Sequence, residues 1–131
     1  MSFTIEFVSP EAVLYSGEGT QVIARTRGGG EIAFLAGHEP FIGSLEPSEV
    51  RVTEEAGDVR SFAVRSGFVS VTGTSVTVLS DQAVPSEDID PEEARADLAE
   101  AQEELRSNEY DPYALQNQRW AQLRIDLAET A

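Results

Sequence analysis

Few side chains in this chain could perform chemistry. The 131-residue sequence has no Cys and a single His, His38, and it contains no Lys. The chain therefore cannot form a disulfide, a thiolate nucleophile, a two-histidine metal site, a Schiff base or the lysine contact of a nucleotide-binding P-loop. We expect neither a bound metal nor a cofactor.

An enzymatic role would have to depend on His38. A carboxylate such as Glu39, together with one of the many Ser or Thr hydroxyls, could complete a Ser–His–acid triad. No Gly-x-Ser-x-Gly motif accompanies this histidine to present a serine nucleophile. The Arg-Gly-Gly-Gly run at residues 27–30 is not followed by Gly-Lys-Ser/Thr, so it favours a hairpin turn over a phosphate cradle. We predict that the chain is not an enzyme.

Charge excludes further classes of function. Twenty-four acidic residues against nine basic ones give a net charge of −15. Such a surface repels the phosphates of nucleic acids and of anionic lipid headgroups, so we expect neither to bind directly. A solubilising surface and a cationic protein partner both remain compatible with the acidity. No apolar run is long enough to span a bilayer, and the start of the sequence lacks a secretory pattern. We expect a cytoplasmic protein that reaches a membrane only through a partner.

The elements that position these residues differ between two parts of the chain. From residue 2 to about residue 85, apolar and polar residues alternate, as in Phe3, Ile5 and Phe7, and turn residues recur at short intervals. This pattern predicts an antiparallel β-sandwich of nine or ten short strands. The predicted domains are 1–85 and 86–131.

After Pro85 the period becomes helical. Asp90-Pro91 and Asp111-Pro112 are helix-start signals that predict two helices joined by a short connection, an antiparallel hairpin. The apolar faces are narrow, so the hairpin is expected to lie against something larger, either its own sandwich or a partner. The residues predicted to form these contacts are Leu98, Leu105, Tyr113, Trp120, Leu123 and Leu127.

Several short motifs occur in a recognisable order. These are Gly30-Glu31, the Gly-His-x-Pro loop at 37–40, the Leu-x-Pro turn at 45–47 and the Ser-Gly-Phe strand start at 66–68. Each motif is weak alone, but together and in this order they resemble the epsilon subunits of bacterial F-type ATP synthases. The resemblance covers essentially the whole chain.

The resemblance implies both a fold and a role. The fold is a flattened β-sandwich of about ten strands followed by a two-helix hairpin, which agrees with the change of period. The role is that of a rotor subunit at the cytoplasmic face of the cell membrane, bound to the gamma subunit and to the ring of c subunits. In the family the hairpin folds against the sandwich or extends toward the alpha/beta hexamer and inhibits ATP hydrolysis.

Glu31 and His38 match family positions that face the polar loops of the c ring, and with Glu39 they are the expected contacts. Purely structural roles remain open as alternatives. Glu31 would then be only a charge at a strand edge, and His38 only a turn residue that bonds to its own backbone. The alternative to the rotor role is a free-standing scaffold or adaptor whose hairpin forms an interface.

Two departures from the family concern regulation. Some members bind ATP through Ile/Leu-Asp-x-x-Arg-Ala, and here Glu93 stands in place of the Arg, which leaves Asp90 at most as a nucleotide contact. The second helix offers only Arg119 and Arg124 as cations, whereas inhibitory hairpins present basic residues to the catalytic subunit. We expect no ATP sensing and weak or absent inhibition.

Overall fold

The computed structural model describes residues 1–130. The chain divides into two compact units, Met1–Pro85 and a second that begins at Ser86. The first consists of strands and the second of helices, which confirms the predicted fold class.

The first unit contains nine strands, close to the expected number. Their bounds are β1 Phe3–Val8, β2 Val13–Thr26, β3 Gly30–Phe34, β4 Phe41–Leu45, β5 Ser48–Glu54, β6 Val59–Val64, β7 Gly67–Val71, β8 Ser75–Ser80 and β9 Ala83–Pro85. The glycine run forms the turn between β2 and β3, where Gly28 and Gly30 have φ values of 79° and 71°, a conformation that glycine adopts without steric cost.

The strands follow the order β1-β8-β7-β4-β2-β5-β6-β9, and β3 pairs with β2. Strand β1 also pairs with β2, so β1, β8, β7, β4 and β2 form a closed ring. The β1–β8 pairing is parallel and the other pairings are antiparallel. The link between β2 and β4 that completes the ring is a single pair, Thr26 and Leu45.

The core of the first unit follows from the period-two pattern. Phe7, Phe34 and Phe62 are completely buried, and the ring centroids of Phe7 and Phe62 lie 4.7 Å apart. Full burial of one such side chain contributes about 1.5–3 kcal/mol to stability. These aromatic side chains lie in a core in which valine is the most frequent residue.

The second unit contains a 3₁₀ turn, Ser86–Asp88, and two helices, α1 Pro91–Ser107 and α2 Pro112–Thr130. Asp90 caps α1 by accepting hydrogen bonds from the N–H groups of the second and third helical residues. Asp111 does the same for α2. Both predicted helix starts are confirmed. Neither helix, within the described range, combines the length and apolar character needed to cross a membrane.

Candidate interaction surfaces

Glu31 lies near the start of β3, opposite Arg25 of β2. Its carboxylate oxygens are 3.5 Å from Nη2 of Arg25 and 3.2 Å from Nη2 of Arg51, and its side chain is 49% exposed. The carboxylate is therefore balanced by two arginines of its own domain. A cationic group of a partner would join or displace them rather than meet an isolated charge.

His38 lies in the loop between β3 and β4. Its Nδ1 is 2.7 Å from the backbone oxygen of Glu39, and because a carbonyl can only accept, the Nδ1–H must be the donor. The imidazole packs edge-on against Phe34, with the ring centroids 5.0 Å apart. The ring is thus held by its own loop, while Glu39 is exposed. The contacts of Glu31 and His38 differ, so the structure does not join them in one cluster.

A third surface was missed in the sequence analysis. The segments β4, β7 and β8 contain no charged residue, although 25% of the whole chain is charged. In the sheet these strands are neighbours, and their register places Phe68 opposite both Leu79 and Ser44. Ile42, two residues before Ser44, shares that face. We call the surface formed by Ile42, Phe68 and Leu79 the β4–β7–β8 face.

The β4–β7–β8 face is open to solvent. The side chains of Ile42, Phe68 and Leu79 are 77%, 55% and 50% exposed. Scattered exposed apolar residues are normal, but a group of three on adjacent strands without a charge among them is typical of an interaction site. The only signal in the sequence was the absence of charge in three separate segments, and its meaning depends on the strand order.

The helical hairpin packs through small residues. Ala94 and Ala101 of α1 and Ala114 and Ala121 of α2 are buried. The six residues predicted for packing or partner contact differ in how deeply they are buried. Trp120 and Leu127 are buried, Leu98, Leu105 and Leu123 are partly buried, and Tyr113 is 65% exposed. The buried face of α2 begins at Ala114, one residue after Tyr113.

Arg124, one of the two cations of α2, is not exposed. The residue is 8% exposed, and its Nη2 is 2.9 Å from Oδ2 of Asp97 on α1. Its guanidinium carbon lies 4.9 Å from the ring centroid of Trp120. A tryptophan four residues before an arginine is a spacing that brings the two side chains together on a helix, which is the signal that could have predicted this contact.

The start of α1 shows what replaces the family's ATP motif. The Asp90 carboxylate is engaged by the backbone N–H groups of its own helix. Glu93 is exposed, and Arg95 forms an ion pair with Glu92 within the same turn. Among residues 1–130, no group of three or more His, Asp or Glu side chains is arranged to hold a metal ion.

Comparison with known proteins decides the family. Residues 2–86 match the family model described as "ATP synthase, Delta/Epsilon chain, beta-sandwich domain". This chain belongs to the ATP synthase delta/epsilon chain family. The match covers the whole strand unit of this family member, including the β4–β7–β8 face.

Relatives extend the similarity beyond the sandwich. The ATP synthase epsilon chain of Rhodococcus jostii is 44% identical over 105 residues, which are 79% of this chain and 85% of that one. The epsilon chain of Thioalkalivibrio sulfidiphilus is 37% identical over 112 residues, covering 85% of this chain and 79% of the other.

Solved structures show the same fold. A chain in the Euglena gracilis mitochondrial ATP synthase (OSCP/F1/c-ring) superposes with a TM-score of 0.71 at 24% identity, covering 98% of this chain and 78% of that chain. A chain in the Tetrahymena thermophila mitochondrial ATP synthase (central stalk/c-ring) has a TM-score of 0.59 at 14% identity and covers 98% and 96%.

Proposed function

We propose that this chain is a non-catalytic rotor subunit of an F-type ATP synthase, coupling rotation of the c ring through the gamma subunit to ATP synthesis in the catalytic head. The proposal is supported by family membership and by epsilon-chain relatives whose similarity extends beyond the sandwich. The subunit would be held at the cytoplasmic face of the membrane by the complex, with no cofactor and no direct contact with lipid.

The observation that carries this proposal is the β4–β7–β8 face. Exposed apolar side chains without charges are typical of the centre of a stable protein interface, where charged residues are depleted. Burying such a side chain fully yields about 1.5–3 kcal/mol, so three of them can anchor a partner. A second copy of this chain is a poor partner, because two proteins that each carry −15 repel one another. We assign the face to the gamma subunit.

The polar surface serves a different contact. Glu31, His38 and Glu39 are our candidates for the c ring, as the resemblance implied. Glu31 and Glu39 are exposed, and the imidazole of His38 fixes the loop that carries Glu39. The carboxylates of Glu31 and Glu39 could both accept hydrogen bonds from Arg and Gln side chains in the loops of such a partner.

The hairpin has a minor inhibitory role in this proposal. Burial of Arg124 removes one of the two cations that α2 could have offered to an acidic segment of the catalytic head. Exposed acids such as Asp126 and Glu129 would be repelled by that segment. Leu98, Leu105, Leu123 and Tyr113 are the hairpin residues that we assign to packing or to gamma contact.

Co-purification with the gamma subunit of the same organism tests the rotor assignment. The wild-type chain should bind in a one-to-one ratio, and Phe68→Asp should weaken binding about tenfold or more, because a charge would be placed without a partner in an apolar interface. Val59→Asp is the matched control, since Val59 is equally exposed but lies on β6.

Three results would speak against parts of this assignment. Loss of binding in both variants would show a general effect of added acid, and full binding by Phe68→Asp would remove the β4–β7–β8 face from the interface. If the wild-type chain itself failed to bind gamma in gentle salt, the free-standing scaffold would be the better interpretation.

A further inference from the structure

The helical hairpin contains a charged side chain that is almost completely removed from water. Arg124 is the one charged residue among residues 1–130 that is buried. Its partners come from both helices: the Asp97 carboxylate on α1, and the ring and backbone oxygen of Trp120 on α2. The guanidinium therefore bridges the two helices, and its contact with Asp97 joins residues that are 27 apart in the sequence.

Two other ion pairs of α1 lie within that helix and do not reach α2. Arg95 pairs with Glu92 and Arg106 pairs with Glu103, each within one turn of α1. These pairs are exposed and contribute little to stability. The Asp97–Arg124 pair differs because its cation is buried against an aromatic ring, where an unpaired charge is costly.

We propose that Asp97, Trp120 and Arg124 form an internal clamp that keeps the hairpin closed and keeps the Trp120 ring from other proteins. Tryptophan and arginine are the side chains that most often dominate protein interfaces, and the closed hairpin hides one of each. Asp97 is 45% exposed, so a cationic group of a partner can reach it and compete for Arg124's anion. The Asp97–Arg124 contact is therefore the place where a partner could open the hairpin. This proposal does not depend on the rotor assignment.

The clamp contains its own reporter, because Trp120 is the only tryptophan of the chain. Urea titration of the full-length chain, followed by Trp120 emission and by acrylamide quenching, measures the opening of the hairpin. Circular dichroism of the same samples follows the strands. In Asp97→Asn, which keeps the size of the side chain and removes its charge, the equilibrium constant for hairpin closure should fall about tenfold.

Glu103→Gln is the matched control. It also removes one α1 carboxylate that pairs with an arginine at 2.9 Å, but that pair is exposed and lies within α1. The closure constant should stay within about twofold of wild type in this variant. A second variant, Arg124→Gln, should weaken closure by itself and should add little in the Asp97→Asn background, because both changes break the same contact.

Two outcomes of the variant comparison would overturn the clamp, and a third would follow from the strand signal. One is equal protection of Trp120 in Asp97→Asn and Glu103→Gln, and the other is additive effects of Asp97→Asn and Arg124→Gln. Loss of the strand signal together with Trp120 protection would also count against it, since the clamp acts within the second unit.

Discussion

Gly67 begins β7 at a point where the backbone of that strand lies very close to β8. Its φ is 152°, and a Cβ built on it would collide with the backbone oxygen of Leu79 and lie 2.8 Å from Cα of Ser80. Both obstacles are main-chain atoms of a paired strand, so they cannot rotate away as a side chain could. Gly67→Ala should therefore move β8 or break its pairing with β7.

The cost can be worked out from two contributions. Holding a residue with a side chain in this backbone region costs about 1–3 kcal/mol. Overpacking against a rigid neighbour costs about 1–3 kcal/mol more. The sum is a substantial part of the roughly 5–15 kcal/mol by which domains are stable. Gly57→Ala separates the two contributions, because Gly57 has a φ of 103° and no atom within 4 Å of the added Cβ.

The stability of both variants is measured by urea unfolding, with the strand signal followed by circular dichroism. Only the overpacking contribution of about 1–3 kcal/mol separates the two variants. With a slope of about 1–3 kcal/mol per molar urea, the midpoint of Gly67→Ala should therefore lie about 0.3–3 M below that of Gly57→Ala. Equal midpoints would refute the reasoning, since they would mean that the β7–β8 approach exerts no steric constraint. A change of slope in Gly67→Ala alone would indicate that the two-state assumption had failed.

Two further predictions concern alkaline stability and the hairpin. Burial, followed by the nearby Glu54 carboxylate, raises the pKa of Tyr15 above its ordinary value of 10.0. The folded state then holds a proton that the unfolded state loses, so stability should fall as the pH rises above about 10. Tyr15→Phe should flatten that fall in a urea titration series, and Tyr110→Phe, at an exposed position, should not. Under the proposed function, deleting residues 86–131 should change ATP hydrolysis by the assembled enzyme less than about twofold, because an acidic segment of the catalytic head would repel the acidic hairpin. A several-fold increase would contradict this.

Local patterns in the sequence were sufficient for the elements of the fold. Alternation identified the strand unit, and the two Asp-Pro signals identified the helix starts, because caps depend only on residues within one turn. Turn chemistry likewise located the β2–β3 hairpin.

Contacts between distant residues could not be read in the same way. The β4–β7–β8 face depends on strand order, which places residues 42 and 68 on neighbouring strands although 26 residues separate them. A charged residue on a helix usually faces water, and the burial of Arg124 depends on its contacts with Asp97 on the other helix and with Trp120.

The parallel pairing of β1 with β8 has a consequence for biosynthesis. Phe3–Val8 is made first, yet the register that joins Thr4 to Ser75 and Val8 to Leu79 needs a strand about 70 residues later. At about 5–20 residues per second, translation leaves this pairing unmade for roughly 4–14 s. During that interval the apolar side of the first strand lacks its final neighbour, and exposed apolar strands of this kind are prone to aggregation.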